Sequence, residues 1–266
     1  MMTETSLSKT EPDVIVGTPI CRRTSFILDK FLSNQQEIQQ AYPGCRLVLA
    51  TDEPDFVAGL KEQINHYHLK GEVITYETVK PDYAQSRDWS MVSGREAIRQ
   101  HVLSQTTAEY FLSVDADMTF NPHVIQIMET EIKGYDVAHS AYPLRRFGIN
   151  AAGLGCSMIT RDTLEIIEFR CLEFKNGQLI PEGNLLDIDL FNLGKRIKRG
   201  FFLHISHYET GNKAKYISPQ PLGLLKKITN LLLVRYVLIK ASIMLRYDIP
   251  GKLQTILYGS IFNRRS

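Results

Sequence analysis

Along the first half of the chain, short apolar runs alternate with longer stretches in which apolar residues recur every three or four positions. Val14-Ile15-Val16 is the first run, and it ends at Gly17-Thr18-Pro19. From about Thr24 to Gln40, Phe26, Ile27, Phe31, Leu32 and Ile38 share one face at helical spacing, and Tyr42-Pro43-Gly44 breaks the pattern. Arg46-Leu47-Val48-Leu49-Ala50 predicts a second strand, and Thr51-Asp52-Glu53-Pro54 opens a second helix with proline near its first turn. Val73 to Tyr76 predicts a third strand, and Ser90 to Gln105 a helix leading into Tyr110-Phe111-Leu112-Ser113-Val114. Pro122 starts a further helix, and Val137–Tyr142, Leu154–Thr160 and Phe201–His207 read as later strands. Such β-α alternation, with crossovers of helical length, predicts an α/β fold: a Rossmann-like, mainly parallel sheet with helices on both faces.

After about residue 220 the pattern changes. Leu224, Leu225, Ile228, Leu231, Leu232, Val234, Val237, Leu238 and Ile239 are interrupted by Lys226, Lys227, Arg235, Lys240 and Arg246. Three regions follow: a loose polar tail over 1–12, an α/β domain over 13–220, and a basic, amphipathic helical C-terminal extension over 221–266. A basic apolar helix can lie in a membrane interface, giving peripheral contact through residues 222–246, or it can pack on its own domain or a partner. The charges do not form one stripe at 100° per residue, which weakens the interfacial reading.

The 266 residues suffice for one large domain with a sizeable core, and 44% hydrophobic with 23% charged residues is ordinary for a globular protein. A net charge of +2 gives no reason to expect nucleic acid as a partner. Cys21, Cys45, Cys156 and Cys171 form no CxxC pair and sit in or beside apolar runs. They read as reduced thiols of a cytoplasmic protein, peripheral at the inner face of the membrane if the C-terminal helix binds there. Residues 1–12 lack the apolar stretch of a signal peptide. No uncharged apolar run approaches the roughly 18 residues that a spanning helix needs.

Candidate chemistry concentrates where the fourth strand ends. Asp115 and Asp117 follow Val114, and side chains two apart on an extended chain point the same way. In open α/β sheets ligands bind just outside the carboxyl ends of the strands. Paired carboxylates there suit a hard divalent cation that keeps waters and takes phosphate oxygens. The plain alternative is a strand entering a turn, with aspartate favoured for turn chemistry.

The order Gly17-Thr18-Pro19-Ile20-Cys21-Arg22-Arg23, Ala50-Thr51-Asp52, Ser93-Gly94-Arg95-Glu96, Val114-Asp115-Ala116-Asp117, Gly153-Leu154-Gly155-Cys156-Ser157-Met158 and Leu186-Asp187-Ile188-Asp189-Leu190, ending near His207, resembles family-2-like glycosyltransferases of the GT-A fold. The resemblance spans about residues 13–210. It implies transfer of a sugar from a nucleoside-diphosphate sugar, UDP- or GDP-linked, to an acceptor hydroxyl, with glycan, lipid-linked and protein acceptors all open and inversion ahead of retention. By that resemblance Thr18 and Pro19 form the nucleotide-binding turn, Arg23 and Arg95 contact diphosphate or base, Asp52 contacts uracil or ribose, and Asp115 touches the sugar side. Asp117 and His207 would hold Mn²⁺ or Mg²⁺, with His207 preferred to His204, and Asp187 would be the base, ahead of Asp189.

Each residue has a plainer reading: Arg23 a solvated helix-start arginine, Asp52 an N-cap, Arg95 a partner of Glu96, Asp187 a cap, His207 a structural strand histidine. Here Glu96 stands where the family has asparagine and Leu186 where it has glutamate. His66, His68, His101, His123 and His139 have no comparable context. Trp89 reads as a buried anchor or a sugar platform, and Arg145, Arg146 and Phe147 as a loop over the donor or solvated charge. The rival functions are a sugar nucleotidyltransferase of related fold, which wants a glycine-rich Lys/Arg loop after the first strand, and a non-catalytic scaffold that kept the fold.

Overall fold

A computed structural model describes residues 13–143, 150–173, 179–209 and 213–215. The tail 1–12, the Arg145-Arg146-Phe147 loop and the C-terminal extension, with its expected membrane contact, lie outside the described residues. Strand β1 (Val14–Pro19) is followed by a 3-10 segment (Arg22–Ile27) and helix α1 (Leu28–Ala41). Then come β2 (Cys45–Thr51), a 3-10 turn (Pro54–Phe56), α2 (Val57–His66), β3 (Gly71–Thr75) and α3 (Asp88–Gln105). Next are β4 (Tyr110–Val114), β5 (Met118–Phe120), α4 (Val124–Ile132), β6 (Val137–Pro143), β7 (Asn150–Thr160) and α5 (Arg161–Ile166). The described chain closes with β8 (Leu172–Glu173), β9 (Leu179–Ile180), α6 (Glu182–Asn192), β10 (Ile197–Gly200), β11 (Ile205–Glu209) and β12 (Lys213–Lys215).

A seven-stranded sheet runs β10-β6-β7-β4-β1-β2-β3. Its pairings are parallel except at β7, which is antiparallel to both β4 and β6. Because β7 runs the other way, it begins at the rim where β4 ends and carries Gly153 and Gly155 past Asp115. A small antiparallel sheet, β12-β11-β5, stands on that rim.

The apolar runs are continuous because both faces of the sheet are covered. Val14, Val16, Leu47, Leu49, Leu112 and Val114 pack with α1, α2 and α4 on one side. Ile15, Val48, Ala50 and Phe111 pack with α3, α5 and α6 on the other. Gly17 in β1 admits the close approach of α3: a Cβ there would lie 2.3 Å from the Phe111 ring and 2.7 Å from Ile98. Both neighbours are fully buried. Gly17→Ala is therefore expected to destabilise by about 3 kcal/mol through overpacking, read as a fall in the denaturant midpoint at unchanged slope.

Two expectations are corrected. Of the predicted strand Phe201–His207 only Ile205–His207 is strand, at the start of β11; β10 ends at Gly200 and residues 201–204 lie in neither. Phe202 folds back so that its ring would sit 2.4 Å from a Cβ on Gly200, and the chain turns there. The reading of Asp187 as a helix cap is not met: it lies mid-way along α6, which runs Glu182–Asn192. It is no N-cap. Among the described residues no helix is long and apolar enough to cross a membrane.

Candidate active site

Past β4 the chain makes a tight turn, with Met118 N–H donating to the Asp115 carbonyl at 3.2 Å, and re-enters order as β5. β5 pairs with β11 in a register that sets Met118 opposite His207. That pairing brings His207 Nε2 to 3.5 Å from Asp117 Oδ1, while Tyr208 N–H donates to the Asp117 carbonyl at 2.9 Å. His207 is buried, and its ring meets Tyr142 edge-on, centroids 6.1 Å apart. The small sheet thus exists locally to hold a carboxylate and an imidazole together.

Asp115 points to a second cluster. Arg95, in the middle of α3, is 2% exposed. Its Nε donates to Ser113 Oγ at 3.2 Å, and its two terminal nitrogens donate to Asp115 and to Glu182. The resemblance implied that this arginine meets diphosphate or base; instead its fork is satisfied by two carboxylates and a hydroxyl of the protein itself. Glu96 is not its partner, being bonded to Arg99 and to the Phe169 N–H. Burial pushes the Glu182 carboxyl up to about 7, the Arg95 charge opposing and Asp115 and Asp88 adding to it. Its Oε1 is buried without a hydrogen-bond partner among the described residues. Gly155 keeps this corner open, since a Cβ would lie 2.6 Å from Asp115 Oδ2 and 2.8 Å from Tyr142.

Asp187 forms the third group. Arg199 on β10 donates to its Oδ1, and His139 Nε2 on β6 stands 3.6 Å from the same oxygen. Burial disfavours the Asp187 charge, but His139 and Arg199 outweigh it and hold the carboxyl below its usual range. Asp189 faces elsewhere, its carboxylate accepting from Arg170 at 2.6 and 3.1 Å.

Two cavities join these groups. One, of about 110 Å³, is lined by Pro19, Cys21, Tyr76, Ser90, Asp115 and Asp117. The other, of about 320 Å³, is lined by Arg95, Asp115, His139, Tyr142, Glu182 and Asp187. Both touch Met91 and Asp115, so the two cavities adjoin along the rim. A separate depression of about 420 Å³ between α1, β5 and β11 shares no lining residue with either.

The remaining predicted residues fall at different distances from this cleft. Pro19 lines it. Thr18 is fully buried within β1, beneath the rim. Asp52 caps nothing: its Oδ2 accepts from the Thr78 and Ser90 hydroxyls, each at 2.8 Å, and so sets the wall formed by Ser90. Arg23 is exposed and lines neither cavity. Its neighbour Arg22 pairs with Glu53 and Asp55. Trp89 is an anchor, its Nε1 donating to Glu173 at 3.0 Å. His204 is exposed. Glu182 and His139 were not expected; neither belongs to a motif, and both reach the cleft only through long-range packing.

A divalent cation fits Asp117 and His207. Two ligands each about 2.1 Å from one ion stand about 3.0–3.5 Å apart for angles from 90° to 110°, which matches the 3.5 Å between Asp117 Oδ1 and His207 Nε2. Among the described residues no cluster of three or more His, Cys, Asp or Glu side chains forms a cage. Two protein ligands, with phosphate oxygens and water completing the shell, is the arrangement such ions take in nucleotide sites.

No protein-family model matches the sequence, and no curated protein is similar to it in sequence. Solved structures do resemble it. TarS of S. aureus, residues 1–349 in complex with UDP, superposes with a TM-score of 0.52 at 15% identity, covering 95% of this chain and 71% of that one. The mannosyltransferase PcManGT from Pyrobaculum calidifontis, in complex with GDP-Man and Mn²⁺, gives 0.52 at 12% identity, covering 94% and 69%. The chain has the GT-A fold. At these identities the likeness is one of fold, and within the GT-A frame the cleft occupies the carboxyl edge of the parallel strands.

Proposed function

We propose that the protein transfers a sugar from a nucleoside-diphosphate sugar, UDP- or GDP-linked, to an acceptor hydroxyl of a glycan or lipid-linked substrate, with inversion. The observation that carries this reading is a pair of adjoining cavities on a GT-A sheet, one lined by Asp115 and Asp117 and the other by Asp115 and Asp187, with His207 3.5 Å from Asp117. Pro19 and the wall set by Asp52 receive the nucleoside, and Asp115, fixed by Arg95, accepts from the ribose or donor-sugar hydroxyls. Asp117 and His207 would hold the cation, and the nitrogen ligand favours Mn²⁺ over Mg²⁺. When bound, that ion neutralises charge developing on the departing diphosphate. Asp187 takes the proton of the acceptor hydroxyl as its oxygen bonds to the anomeric carbon and the bond to diphosphate breaks, the diphosphate leaving with the electron pair. Held ionised by Arg199, Asp187 is ready for that proton at neutral pH.

The test is a thermal-shift panel of UDP, GDP and their sugars with and without Mn²⁺, paired with an assay of nucleoside-diphosphate release into water. A midpoint that rises for one nucleotide only with Mn²⁺, accompanied by slow release from its sugar, is the expected result. A shift without release would favour a scaffold, and no shift with any nucleotide would remove the reading.

A further inference from the structure

We propose that His139 is the positioning residue for Asp187 and its proton relay: the acceptor's proton passes from the carboxylate to His139 Nε2. This rests on the reading of Asp187 as the base.

A chain of contacts runs across three strands and a helix. His139 on β6 is opposite Ser157 on β7 and Arg199 on β10. Its Nδ1 lies 2.5 Å from Ser157 Oγ, and that hydroxyl donates its one proton to the Gly153 carbonyl at 2.6 Å. Ser157 can then only accept from the ring, so Nδ1 carries the proton and Nε2 presents a lone pair. Nε2 is buried with no hydrogen-bond partner among the described residues, in a side chain 2% exposed that lines the larger cavity. It faces Asp187 Oδ1 at 3.6 Å. A buried polar atom left without a partner calls for an explanation, and an atom that receives a proton during the reaction supplies one.

The relay also answers a chemical need. Arg199 donates to the same Asp187 oxygen and favours its ionised form, which makes Asp187 a poor store for a proton. Imidazole is the side chain whose ordinary range spans neutral pH. In the step proposed, the hydroxyl proton reaches Asp187 as the C–O bond forms and moves to the Nε2 lone pair. The carboxylate is regenerated beside an imidazolium, which returns its proton to water once product leaves. The charged groups facing the ring are Asp187 from α6, Arg199 from β10 and, across the cavity, Glu182, Asp115, Arg95 and Asp88.

The experiment compares His139→Gln, His139→Asn and wild type in donor hydrolysis with Mn²⁺ across pH 5.5–9, water serving as acceptor. Both variants keep a polar amide and neither can take a proton. The expected result is a kcat about 100-fold lower in both, an unchanged donor KM, and loss of the acidic limb of the wild-type pH profile. A Gln variant with the wild-type rate and profile, or a change confined to KM, overturns the relay and leaves a structural histidine. A second measurement needs no turnover. In ¹⁵N-histidine NMR spectra Asp187→Asn is expected to move the His139 Nε2 resonance and its titration, and an unmoved resonance overturns the proposal even in variants that fold. Absence of donor hydrolysis in wild type would fall on the transferase reading, while the NMR result still decides whether Nε2 and Asp187 share a proton.

Discussion

Asp117→Ala is expected to lower metal-dependent release of nucleoside diphosphate by about a thousandfold or more and to abolish the Mn²⁺-dependent part of the nucleotide thermal shift. The cation supplies several kcal/mol of charge stabilisation at the leaving diphosphate, and about 4 kcal/mol corresponds to a thousandfold in rate. The loss would be one of activity with little change in stability. The contact that fixes the turn to β11 is made by the Asp117 carbonyl, accepting from Tyr208 N–H, and a side-chain substitution leaves it in place. Asp117→Asn separates charge from shape: an amide keeps the volume but cannot balance a dication, so it should fall near the alanine variant. Wild-type hydrolysis by Asp117→Ala would end the assignment of this pair to a metal.

The parts of this cleft that were legible in the sequence are those made by local rules. β1, β2 and β4 are buried on both faces, so each reads as an uninterrupted apolar run, and Asp115 and Asp117 stand out because they interrupt one. Helix α3 was legible from its spacing, and Asp187 and His207 through resemblance. What was not legible depends on distant partners. Arg95 and Glu182 are 87 residues apart, and nothing near Glu182 announces that its carboxylate will be sealed against a guanidinium. His139 lies in an ordinary strand pattern, and its role comes from Ser157 and Asp187 on other elements. The start of α6 was hidden because its apolar residues Leu185, Leu186, Ile188 and Leu190 are all buried, leaving no clean helical stripe. The late strand was overextended because hydrophobicity alone cannot show Phe202 folding back over Gly200.

Arg95→Met is expected to cost about 3–5 kcal/mol at pH 8, the usual penalty for removing one partner of a buried ion pair, and to lower the melting midpoint by roughly 10 °C. Among the described residues the buried guanidinium is the only cation bonded to Glu182, and it also holds Asp115 toward the cleft. Without it two carboxylates share a dry corner with Asp88. The loss should depend on pH in a defined sense. Glu182 already sits at about 7 against an ordinary 4.5, so its contribution to stability is full below 4.5 and disappears as pH rises through the folded value. Removing Arg95 raises that folded value further, so Arg95→Met should lose much less stability at pH 5, where Glu182 is protonated, than at pH 8. Arg95→Lys should not restore the wild type, because an ammonium cannot serve Ser113, Asp115 and Glu182 from one planar fork. The double variant Arg95→Met with Glu182→Leu should recover most of the stability, since the uncompensated charge goes with its partner. It should still bind nucleotide sugar poorly, because Asp115 would no longer be held. Equal losses at pH 5 and pH 8 would mean that the buried charge felt by Arg95 is not Glu182.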